Sequence, residues 1–178
     1  GVISGDGTFV KQGAGTLTFD GSDPTTHAGP INVEAGKISI TGANGFSDGS
    51  AITVSSGAIF DLDSSDILGS INGSGEIQLA SGVNLSVGAN NSNSTFSGVI
   101  SGLGGISKEG LGILSLSGEN TYEGLTDIKK GSLIVSGSLD DGTDIRISVG
   151  GVYEVMADDR IGSIEGGGQI QLGAQTLT

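Results

Sequence analysis

Two stretches 97 residues apart decide the fold: Lys11-Gln-Gly-Ala-Gly-Thr-Leu-Thr-Phe19 and Lys108-Glu-Gly-Leu-Gly-Ile-Leu-Ser-Leu116. Upstream of each, Gly1-Val-Ile-Ser-Gly5 returns as Gly98-Val-Ile-Ser-Gly102. At a shift of 93, Ile52-Thr-Val54 matches Ile145-Arg-Ile147, and Gly69–Leu79 matches Gly162–Leu172. The shift shrinks through small deletions near residues 21–29 and 42–49. Segments that tolerate length changes are expected at the surface. The chain reads as two copies of a unit of about 95 residues, 1–97 and 98–178, in one continuous solenoid.

A shorter beat runs inside each unit. Apolar and polar residues alternate at Thr16–Phe19, Lys37–Ile40, Ile59–Leu62, Glu76–Leu79 and Val152–Val155, among others. A period of two means a strand with one buried face. Leu17, Ile38, Ile59 and Ile77 follow one another at 21, 21 and 18 residues. Further short strands are expected at Ile31–Val33, Ile52–Val54, Leu85–Val87 and Ile145–Ile147. Two or three short strands per 18–21 residues, turned by glycine, describe a coiled parallel sheet. About nine rungs, each about 4.8 Å from the last, give a rod about 40 Å long. An antiparallel sandwich also has short strands and glycine turns, but it would not repeat a 95-residue unit, and Asn-Gly or Asp-Gly hairpin signals are few.

Composition narrows the alternatives. The 178 residues include 35 glycines, no cysteine and only two prolines, Pro24 and Pro30. The glycines have no three-residue period, which removes collagen. Their density removes ordinary helices, since each costs about 1 kcal/mol in a helix interior. Val, Ile, Leu and Phe make up about 28% of the chain, enough to bury a core. The net charge of −13, with no basic cluster larger than Lys129-Lys130, argues against nucleic acid and anionic membrane surfaces. The chain opens and closes in mid-pattern and is expected to be a piece of a longer protein.

The run from Phe96 to Thr126, Phe-Ser-Gly-Val-Ile-Ser-Gly-Leu-Gly-Gly-Ile-Ser-Lys-Glu-Gly-Leu-Gly-Ile-Leu-Ser-Leu-Ser-Gly-Glu-Asn-Thr-Tyr-Glu-Gly-Leu-Thr, resembles the autotransporter-associated β-strand repeat (PATR type) almost throughout. Gly1–Asp20 resembles it less well, with Ser22–Gly29 in place of the Asn-Thr-Tyr segment. Ile161–Leu172 is also typical of such proteins. The resemblance implies an all-β, right-handed parallel β-helix in a Gram-negative autotransporter passenger, displayed at the cell surface or secreted. It implies a non-enzymatic stalk that supports export, display and adhesion or self-association. Its partners would be the outer-membrane translocator of the same polypeptide and a host-surface or sister-cell partner, with no nucleic acid or small-molecule substrate. It carries no catalytic, cofactor-binding or metal-binding residues and no cofactor.

Few residues in the sequence could carry chemistry. His27, the one histidine, lies in the Ser22–Pro30 loop between two prolines and is expected to be exposed rather than part of a triad. Asp61, Asp63 and Asp66, with Asp140, Asp141, Asp144, Asp158 and Asp159, fall at strand ends and are expected to be solvated turn carboxylates. The alternative is a polysaccharide-active β-helix using Asp61, Asp63 and Asp66, since paired carboxylates hydrolyse glycosides. Asp61-Leu-Asp63 begins like a calcium loop, but position six is Asp66 rather than Gly and position twelve is Asn72 rather than Glu. Glycine triples precede no helix and offer no phosphate cradle. Asn90–Thr95 is a polar loop suited either to self-association or to plain solvent exposure.

Overall fold

Period-two strands broken by glycine can bury one face each only if the chain coils and every turn lies on the last. The computed structural model describes residues 3–22, 26–42 and 45–178 and is a right-handed parallel β-helix of twenty-three short strands. Gly1, Val2 and Pro24 of the readings above lie outside the described residues. Near the N-terminal end β1 (Ser4–Gly5) pairs with β4 (Thr26–His27). The largest sheet, the nine-strand face, stacks β2 (Phe9–Lys11), β5 (Ile31–Val33), β7 (Ala51–Val54), β10 (Ser70–Gly73), β13 (Ser94–Phe96), β16 (Ile113–Leu116), β19 (Gly131–Val135), β21 (Gly151–Val155) and β23 (Gln169–Gln171). A second face stacks β3 (Thr16–Phe19), β6 (Lys37–Ile40), β8 (Ile59–Leu62), β11 (Glu76–Leu79), β14 (Val99–Gly102) and β17 (Thr121–Tyr122). The third holds β9 (Asp66–Leu68), β12 (Asn84–Val87), β15 (Gly105–Lys108), β18 (Thr126–Ile128), β20 (Asp144–Ile147) and β22 (Ser163–Gly166). Where a turn has all three strands, as β9–β11, β12–β14 and β15–β17 do, it runs third face, nine-strand face, second face.

Register fixes the pitch. On the nine-strand face Phe9 pairs with Ile31, Ile31 with Ile52 and Ile52 with Ile71; farther on, Leu114 pairs with Leu133, Leu133 with Tyr153 and Tyr153 with Ile170. Nine strands make eight full turns between the first and the last. The pairing puts Ile31, Ile52, Ile71, Leu114, Leu133 and Tyr153 in one inward column, all without solvent exposure. Each buried side chain of this size stabilises the rod by about 1.5–3 kcal/mol relative to an exposed one. Stacking also dictates composition at the corner between the nine-strand and second faces. A Cβ on Gly98, Gly118 or Gly137 would fall 1.8, 1.9 or 2.0 Å from the carbonyl oxygen of Gly75, Gly98 or Gly118 one turn before.

The first turns pack through aromatics. Phe9 and Phe19 meet edge to face at 6.4 Å, Phe19 and Phe46 at 5.0 Å, and Phe46 lies 6.4 Å from Phe60. Two expectations are corrected here. The stretch 42–49 was expected at the surface, yet Phe46 is buried, because it fills the interior where no strand of the third face stands between β6 and β7 among the described residues. His27 is not exposed: it is 4% accessible, with its ring 6.1 Å from that of Phe9 and Nε2 3.4 Å from the carbonyl oxygen of Pro30. A strand, rather than an open loop, carries it.

The sequence repeat and the turn do not coincide. Lys11 stands on the nine-strand face, whereas Lys108, its sequence equivalent, stands on the third. Likewise Thr16–Phe19 lies on the second face and its equivalent Ile113–Leu116 on the nine-strand face. The unit of about 95 residues therefore winds about 4⅔ turns, and equivalent residues face different ways.

Candidate functional site

The chemically capable side chains of the rod gather at its corners. Lys11 and Lys108 both point inward, at 9% and 1% accessibility. The Lys11 ammonium donates to the carbonyl oxygens of Gln12 (3.0 Å), Gly13 (2.7 Å) and Ala35 (2.9 Å). The Lys108 ammonium donates to the carbonyls of Glu109, Gly110 (3.1 Å) and Lys130 (3.3 Å). In each case two acceptors belong to the lysine's own turn and the third to the next. An ammonium has three donors and no acceptor, so three carbonyls replace its water shell. Burial still holds the Lys108 ammonium below its ordinary pKa, with Glu109 opposing the shift.

Amides and carboxylates do similar work. Asn91 and Asn93 accept from the backbone N–H of Leu111 and Ile113 on the following turn, each at 2.9 Å. Asn120 accepts from Ile100 N–H at 3.1 Å and donates to the carbonyls of Gly118 (3.0 Å) and Ser138 (3.1 Å). Asp159 accepts from Leu139 N–H at 3.1 Å. Burial raises its pKa, and the Asp141 charge adds to the rise.

Comparison with known proteins places these corners. The family model for the passenger-associated-transport-repeat matches residues 9–40 and 106–135, and each match begins just before one buried lysine and extends past the carbonyl it reaches on the next turn. The chain is also similar to the adhesin BmaC autotransporter of Brucella suis biovar 1 (strain 1330), at 36% identity over 135 residues. That match covers 69% of this chain and 4% of the adhesin, so the chain spans a small part of that relative. This chain is a segment of an autotransporter passenger. No solved structure matches it. The passenger segment belongs at the cell surface or in the secretions of a Gram-negative bacterium.

Within the passenger segment the carboxylates of the enzyme alternative do not converge. Asp61 faces outward on the second face, held by Lys37 at 2.5 Å and Ser39 at 3.3 Å. Asp63 is exposed in the turn that follows. Asp66 is not the solvated turn carboxylate expected: it starts the inward column of the third face, 8% accessible, because its register partner is the core residue Leu85. It accepts from Ile67 N–H at 3.0 Å and Phe46 N–H at 3.3 Å, while burial, aided by Asp48, pushes its pKa up to about 6. Asp140 caps its own turn through Gly142 N–H (2.9 Å), Asp144 accepts from Ser163 (2.6 Å) and Asp158 from Thr176 N–H (2.8 Å). Asp141 lies 3.9 Å from Arg160. No three His, Asp or Glu side chains among the described residues are grouped to hold a metal ion. A hollow of about 520 Å³ lies open at a glycine corner lined by Gly75, Glu76, Gly98 and Val99. In the Asn90–Thr95 loop the exposed Asn90, Asn91 and Asn93 each accept a backbone N–H.

The buried lysines were the functional feature that sequence reasoning passed over. The signal was present: Lys-x-Gly-x-Gly is the element both copies share, and a charged residue at an inward parity needs a cap.

Proposed function

We propose that the passenger segment is a non-catalytic rod that helps the passenger fold on export and carries adhesive surfaces away from the cell. The observation that supports this reading is where the polar side chains go: Lys11, Lys108, Asn91, Asn93 and Asn120 satisfy backbone of their own or neighbouring turns. They join rung to rung, and Asp61, Asp63 and Asp66 do not converge on one site. The similarity to an adhesin supports adhesion as the task of the whole passenger, toward a host surface or sister cells. Stacked turns that contact only their neighbours fold by propagation, which suits a chain emerging end first.

The test is deletion of residues 9–135 from the surface-displayed parent protein. Protease-resistant passenger at the surface and adherence to host cells are both expected to fall. Unchanged display and adherence would overturn the reading. Incubation of the purified segment with a panel of polysaccharides is expected to release no reducing ends, and release abolished by Asp61→Ala would restore the enzyme alternative.

A further inference from the structure

Because the repeat unit winds about 4⅔ turns, the chain contains its own comparison: one motif position shown on two different faces. Asn32 on the nine-strand face corresponds to Asp127 on the third, since Ile31–Ile40 aligns with Thr126–Val135 around Gly36 and Gly131. Thr53 corresponds to Arg146 of the third face, and Asn72 to Glu165 of the third face. Ser132 corresponds to Lys37 of the second face, and Gln169 to Glu76 of the second face. In all five pairs the residue on the nine-strand face is neutral and its equivalent elsewhere is charged. Glu154 breaks the rule, matching Asp61, and is the one charge that the nine strands present outward, since Lys11 turns inward. Val10 adds an exposed apolar side chain at 41% accessibility. Charge resumes at the flanking corner, where Lys129 meets Glu109 at 2.6 Å.

Neutrality here follows the face and not the motif, so packing within the rod does not account for it. We propose that the nine-strand face docks on the same face of a second copy of this chain, with the two rods antiparallel. In a chain of net charge −13 the second and third faces each present several charges, mostly carboxylates, to an approaching copy, whereas this face presents one. A two-fold contact is self-complementary. Antiparallel packing about the central strand β13 sets Glu154, in the eighth strand, against the second strand of its partner. The two Glu154 side chains are then about 29 Å apart, well beyond a screening length of about 8 Å. Parallel packing would set them face to face. Nine strands about four residues wide offer about 500 Å² per copy, and about 1,000 Å² in all is the lower bound for a specific interface. The contact is therefore weak in dilute solution and effective where rods are crowded. It rests on the surface-display reading only for that crowding.

Sedimentation equilibrium of the 178-residue segment tests it. The weight-average mass is expected to rise from that of a 17.5 kDa monomer toward twice that value between about 10 µM and about 1 mM. Asn32→Asp with Asn72→Glu, which copies the residues of the equivalent positions, is expected to remain monomeric throughout. Thr18→Asp with Thr121→Glu, adding the same charge to the second face, is expected to associate as the parent does. A parent that stays monomeric at about 1 mM, or two variants that behave alike, would overturn the proposal while leaving surface display untouched. Should the first variant fail to fold, crosslinking decides. The chain lacks cysteine, so Thr95→Cys on the central strand is expected to give a covalent dimer with a short bismaleimide and Thr121→Cys to give none; equal yields overturn the contact.

Discussion

The ammonium of Lys108 lies 3.3 Å from the carbonyl oxygen of Lys130, twenty-two residues on, and so joins one turn of the rod to the next. Lys11 repeats the arrangement with Ala35 at 2.9 Å, on another face. The shared motif thus specifies a corner and not a direction.

Replacing Lys108 by methionine keeps most of the apolar stem but leaves three part-buried corner carbonyls without that donor. Urea unfolding is expected to show a loss of about 2–3 kcal/mol. Lys11→Met, at a more accessible corner, is expected to cost less. Equal or negligible losses would deny the corners their role.

The two tyrosines differ in one bond. The Tyr122 hydroxyl lies 2.7 Å from Thr126 Oγ1 inside the core, while the buried Tyr153 hydroxyl has no hydrogen-bond partner among the described residues. Tyr122→Phe is expected to destabilise by about 1 kcal/mol and Tyr153→Phe to stabilise by a similar amount. Melting temperatures that move the same way would contradict this.

Proline distinguishes interior strands from edges. Ile77, without solvent exposure, stands in β11, paired on both sides by β8 and β14; a proline there is expected to cost about 3 kcal/mol or more. Its sequence equivalent Ile170 seemed from the repeat to be equally mid-ladder. In the 178-residue segment it lies in β23, pairs on one side only, with β21, and is 45% accessible, so in the segment itself Ile170→Pro is expected to change the melting temperature little.

Asp66 links stability to pH. Its folded pKa of about 6 lies above the ordinary 3.8, so the folded rod binds more protons between those values. Its stabilising contribution is full below about pH 4 and is lost as pH rises through about 6. The stability difference between the parent and Asp66→Asn is expected to shift by on the order of 2 kcal/mol against the parent between pH 4 and pH 7. A difference constant across that range would contradict the burial of the carboxylate.

Much of this was legible in the residues. Alternation at Ile59–Leu62 and Glu76–Leu79 marked strands whose alternate residues are buried, and the repeated spacing near twenty residues marked the turn. Period alone leaves the phase of the coil open, however. Nothing in the spacing of 97 residues says that Lys11 and Lys108 face different ways; that depends on the sum of turn lengths, which range from 17 residues between Tyr153 and Ile170 to 23 between Gly73 and Phe96. His27, Phe46 and Asp66 were read as surface residues from their loop-like neighbours. Each is drawn inward by a contact across turns, to Phe9, Phe19 and the Phe46 amide respectively.

The stacking itself is tested most directly by a ruler of spin-label distances along the nine-strand face. With one label at Val10 and the second moved through Asn32, Thr53, Thr95, Ile134 and Glu154, the separation is expected to grow in proportion to strand number, by about 4.8 Å per strand, to about 34 Å. A series that rises and then falls, or that ignores strand order, would contradict the parallel β-helix and with it the rod.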